Sequence, residues 1–176
     1  KISLSFTFGA IILYNSSIPM AFYFLGPVEA GKLGISIAMI EAIITVSTLF
    51  LNVVQPTIAY LLVESDYKKV KTILVRRAIY AMLTTIFFGA LFYLVMIFLD
   101  LYLPYYYSRF LPHEYIYLLV IAGVLRHLVA SLALFVRAHE SEALMPAFVL
   151  AGIATIALNV ILIPGFGLLG VCLTYF

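Results

Sequence analysis

The chain has 176 residues; 65% are hydrophobic and 10% charged, the mean hydropathy is +1.17 and the formal net charge is +2. A soluble domain is nearer half apolar and a quarter charged, so an ordinary soluble enzyme, a disordered segment and a free nucleic-acid binder are excluded. A polytopic, all-α membrane protein remains.

A spanning helix takes about 20 mostly apolar residues. The first such run is 2–25, uncharged, with Asn15, Ser16, Ser17 and Pro19 marking a local break of the kind that lines cavities in transporters. The second, 33–63, is interrupted by Glu41 and by Pro56, which predicts a break or kink near its end. Segment 64–77 follows. It carries Tyr67, Val70, Ile73 and Leu74 at helical spacing among lysines and arginines, which predicts an amphipathic linker helix lying at the lipid headgroups. The third run, 78–99, is charge-free and roughly 33 Å long as a helix. The loop 100–114 is rich in Tyr and reads as an interfacial aromatic collar. The fourth run, 115–136, carries Arg126 and His127; the fifth is 147–163, and a sixth begins near Leu168 and is cut short. Gly26-Pro27, Pro104, Pro112, Pro146 and Pro164-Gly165 mark the connections. Strands are rejected because the runs are long and do not alternate. The chain starts at Lys1 and stops inside an apolar run, so a fragment of a longer protein is expected.

Six spans place Lys1, Lys68, Lys69, Lys71, Arg76, Arg77 and Arg137 on one side, against Lys32 and Arg109 on the other. By the positive-inside rule the N-terminus is expected in the cytoplasm. No cysteine or histidine cluster has metal-ligand spacing, so no metal or other cofactor is expected. Cys172 reads as a small core residue.

Polar side chains inside spans point to function, because hydrocarbon penalises them. On a helical wheel Glu41, Thr45, Thr48, Asn52 and Gln55 share a stripe about 80° wide and three turns long. One reading is the wall of a hydrated cavity; the other is hydrogen bonding to neighbouring helices. Arg126 lies about 16 Å into its span and Glu41 about 12 Å below the same surface. An ion pair between them is geometrically allowed, and so is capture of an anionic substrate by Arg126. His127 is offset by about 100° from Arg126, either as a hydrogen-bonded packing residue or, with Glu41, in proton or cation coupling. Ala151, Thr155 and Asn159 form a short stripe expected to meet another helix. The GxGxxG match from Gly165 to Gly170 is a turn between spans, with no βαβ unit and no following acid.

Four stretches, taken in order, carry a family resemblance. Gly26-Pro27-Val28-Glu29-Ala30-Gly31-Lys32-Leu33-Gly34 resembles the "GP-x-EAG-x-x-G" turn of bacterial polysaccharide flippases, members of the multidrug/oligosaccharidyl-lipid/polysaccharide exporter superfamily. Gln55-Pro56, Leu61-Leu62, Asp66-Tyr67 and Arg76-Arg77 look like the stretch that follows it there. Arg137-Ala138-His139-Glu140 and Pro146 resemble an "RAHK-x-x-P" loop, with Glu140 in place of the Lys. Asn159 and Ile163 through Gly170 are similar to the "N-x-x-L-x-P-x-x-G-x-x-G" turn.

The resemblance implies the C-terminal, six-helix lobe of a twelve-helix transporter. Its substrate would be an undecaprenyl-pyrophosphate-linked oligosaccharide repeat unit, flipped across the bacterial inner membrane for O-antigen or capsule synthesis. Its implied partners are membrane lipids, the N-terminal lobe of the same chain, and a polysaccharide polymerase and chain-length regulator; no nucleic acid is implied. The nearest alternative is a drug or metabolite exporter of the same superfamily. A glycan polymerase or transferase would need a large outer loop with paired carboxylates or arginines, and 100–114 is not one.

Overall fold

The computed structural model describes residues 16–138 and 145–175. All regular structure among them is helical. Most of the first expected span, including Asn15, lies outside the described residues, as does most of the loop after Arg137.

Helix α1 (Ser17–Leu25) ends at Gly26, whose φ of +88° suits glycine. Pro27 then occupies the first turn of α2 (Pro27–Asn52), where its missing N–H costs nothing. The helix therefore starts well before the expected residue 33. Helix α3 (Gln55–Val63) continues the same apolar segment after a break at Val53–Val54. The break falls just ahead of Pro56, because a proline ring collides with the carbonyl four residues back, here that of Asn52.

Helix α4 (Tyr67–Tyr102) runs unbroken for 36 residues, about 54 Å. A bilayer's hydrocarbon core is about 30 Å thick, so one end of α4 stands clear of it. Residues 67–77 thus supply the first turns of this helix and do not form one of their own: no proline or glycine intervenes before Gly89. Val70 and Leu74 are buried against Val54, Ile58 and Leu61 of the α3 region, while Tyr67 is exposed.

A short helix α5 (Pro104–Tyr107) leads into α6 (His113–Ala138). The aromatic connection is pinned from within. The backbone N–H of His113 donates to the Tyr107 hydroxyl at 3.0 Å, and the Arg109 guanidinium stacks 5.1 Å above the Tyr105 ring. The N–H of Leu111 donates to the buried Ser36 hydroxyl at 2.9 Å, tying this loop to α2. Helix α7 (Met145–Phe166) continues past Pro164, and the chain turns at Gly167 (φ +58°) rather than at Pro164-Gly165. Helix α8 (Leu168–Thr174) folds back on α7 so closely that a Cβ on Gly170 would lie 2.6 Å from the Leu162 carbonyl oxygen.

Helices α2, α4 and α6 pack on one another. A Cβ on Gly89 would sit 2.5 Å from a Val120 methyl, and one on Gly123 would sit 3.0 Å from Ile44. Small residues at such crossings let membrane helices approach, where hydrophobicity alone gives no drive to associate. Among the described residues four segments are long and apolar enough to cross a membrane: Pro27–Val63, Tyr67–Tyr102, His113–Val136 and Val149–Phe166. Only 22–33% of the most apolar window of each is buried. A soluble monomer does not leave so large a continuous apolar surface to water. The bundle is membrane-embedded.

Candidate functional site

Glu41 and Arg126 meet. They lie 14 and 13 residues into α2 and α6, about 20 Å along each axis, and Arg126 Nη1 donates to Oε1 of Glu41 in an ion pair. The hydroxyl of Tyr175, just past α8, donates to the same oxygen. Three elements thus converge on one carboxylate. An unpaired charge at this depth would be costly; each partner removes that cost for the other, and the bonds are charge-assisted. The cluster is not sealed, since the Glu41 and Arg126 side chains keep 33% and 26% of their exposure. A further polar group has access to it.

Thr45, Thr48, Asn52 and Gln55 continue from Glu41 along the outer side of α2 and into α3. The packing side of α2 is carried instead by Ile37, Ile40, Ile44, Ser47 and Leu51. Thr45, Asn52 and Gln55 are exposed and Thr48 is half-buried. Their hydrogen bonds are local. Thr45 and Thr48 donate to the carbonyls of Glu41 and Ile44, each at 2.7 Å, and the Gln55 amide donates to Asn52 at 3.2 Å. Thr45 and Thr48 bond within α2, and the Gln55–Asn52 bond only bridges the break between α2 and α3; among the described residues none reaches α4, α6, α7 or α8, so bonding to those neighbours does not account for the stripe. It is a polar face, turned outward, on an otherwise apolar bundle.

His127 faces elsewhere. It is buried, and its Nε2 lies 2.7 Å from the Thr85 hydroxyl of α4, beside the close contact at Gly123. This is an interhelical hydrogen bond of the kind expected of a packing residue. Asn159 is likewise buried and accepts a 2.6 Å bond from Thr174, joining α7 to α8, while Thr155 donates back to the Ala151 carbonyl.

Tyr175, Thr85 and Ser36 are not evident as site or linking residues from the sequence. A tyrosine in an apolar run needs a partner for its hydroxyl, which is a signal. Nothing in the sequence, however, picks out a partner 134 positions away. Among the described residues no three His, Cys, Asp or Glu side chains gather as a metal site would need. Compared with protein-family models, curated proteins and solved structures, the chain matches none.

Proposed function

We propose that this chain is the C-terminal, six-helix lobe of a twelve-helix inner-membrane flippase, with its N-terminus in the cytoplasm. Its substrate is an undecaprenyl-pyrophosphate-linked oligosaccharide. The observation that carries the reading is the half-open Glu41–Arg126–Tyr175 cluster at the head of the outward polar stripe. A lipid-linked glycan presents the matching problem: its tail stays in lipid, but its polar head needs a wet, partly cationic path. Thr45, Thr48, Asn52 and Gln55 offer hydrogen-bonding groups to sugar hydroxyls. Arg126 exchanges Glu41 for the pyrophosphate, with charge-assisted bonds to either partner. Glu41, released, takes up a proton or cation, which couples the cycle. The second lobe of the same chain covers the stripe and closes the path.

The test is surface glycan in cells that make full-length Arg126→Ala or Glu41→Gln protein at normal levels. Glycan display is expected to fall at least tenfold in both. Unchanged display removes both residues from the path. Intact display with lost drug resistance reassigns the chain to the exporters.

A further inference from the structure

Lys71, Thr72, Val75, Arg76, Ile79 and Tyr80 line a groove of about 510 Å³ on α4. They fall on the outward half of the helix; Val70, Leu74, Ala78 and Ala81 occupy the inward half and are buried. The groove is graded along its length. The cations come first, then Tyr80 at its end, and beyond the groove along α4 lie exposed Leu83, Phe87 and Leu94. The Tyr80 ring stands edge-on to Phe50 of α2 at 6.2 Å, which fixes the groove's wall where charge gives way to hydrocarbon. Lys71 and Arg76 make no ion pair among the described residues, and no acid lines the groove. The neighbouring acid, Asp66, is held by Lys69 at 2.7 Å. Thr72 sends its hydroxyl proton to the Lys68 carbonyl at 2.9 Å, which leaves the two cations as the donors to an anion.

We propose that this groove binds an anionic phospholipid, with the headgroup phosphate between Lys71 and Arg76. The acyl chain runs past Tyr80 toward Leu83 and Phe87. Charge sign, aromatic position and apolar continuation all match the polarity order of such a lipid, and a guanidinium suits a phosphate geometrically. The proposal does not depend on what the bundle transports.

The experiment is mass spectrometry of the intact, detergent-solubilised protein, titrated with phosphatidylglycerol and with phosphatidylcholine of the same chains. One cation near an anionic lipid is worth about fivefold in affinity. The unaltered protein is expected to prefer phosphatidylglycerol by tenfold or more. Lys71→Gln/Arg76→Gln should lose most of that preference. Lys32→Gln/Arg109→Gln, an equal charge loss at the opposite end of the bundle, should keep it within about twofold. All these side chains lie outside the buried core, and an unchanged circular-dichroism spectrum establishes that the variants are folded. Equal losses in the two double variants would reduce the effect to net charge and overturn the site. So would the absence of any preference, or displacement of phosphatidylglycerol by one equivalent of a polyprenyl diphosphate.

Discussion

Gly89 sets how close α4 and α6 come. An added Cβ would meet a methyl of Val120 at 2.5 Å, and a β-branched valine on a helix has one strongly preferred rotamer and little room to yield. Gly89→Ala should therefore destabilise the bundle by about 1–3 kcal/mol, the usual range for overpacking a tight contact. Adding Val120→Ala should recover most of the loss. Unfolding in lipid–detergent micelles measures both, and a Gly89→Ala protein as stable as the parent would contradict the crossing. Glu41 and Arg126 form the ion pair that their similar depths in two spans allow, one of the two arrangements the sequence leaves open. Tyr175 shows how a residue-level reading of sequence fails. Its place beside Glu41 depends on α8 doubling back at Gly167 and nesting Gly170 against Leu162, which is a tertiary matter.

At the scale of elements, run length marks the four described segments able to cross a membrane, because hydrocarbon enforces a minimum span, and Gly26-Pro27 acts through its own backbone chemistry, whereas the last turn falls at Gly167 and not at the expected Pro164-Gly165. The joining of 64–77 to the third span was not legible. Composition changes there from basic to apolar, but a change of polarity does not break a helix; only backbone chemistry does, and Tyr67–Phe88 contains no breaker. The true start is set by Asp66, whose carboxylate accepts the Lys69 N–H at 3.1 Å. The Lys69 ammonium and backbone N–H hold this carboxyl below its usual pKa. A lowered folded pKa means the cap's contribution is complete above the ordinary Asp value of about 4 and is lost as pH falls through the lower folded value. Hydrogen exchange at the Lys69 amide, corrected for its intrinsic rate, should show that loss. Asn caps a helix without titrating, so Asp66→Asn should keep its protection across the same range. Parallel loss in both proteins would refute the role of the cap.

For the whole molecule, apolar side chains cover most of the outer surface and the described charges gather toward its two ends, apart from the Glu41–Arg126 pair. The basic start of α4 and the tyrosine-rich α5 region should therefore lie on opposite sides of a bilayer. The one cysteine, Cys172, is buried, so an introduced thiol can be read against a low background. Ser108→Cys should react with an impermeant maleimide on intact cells, and Lys68→Cys only after permeabilisation. Reversed labelling would invert the orientation, and labelling of both from one side would mean that α4 does not cross. The unbroken α4 also has a mechanical consequence. From its tightest crossing, at Gly89, about 33 Å of rigid rod extends to Tyr67 and about 20 Å to Tyr102. It is a lever with unequal arms: any rocking about that fulcrum sweeps the basic tip through roughly 1.7 times the arc of the aromatic tip, with no joint between them to absorb it.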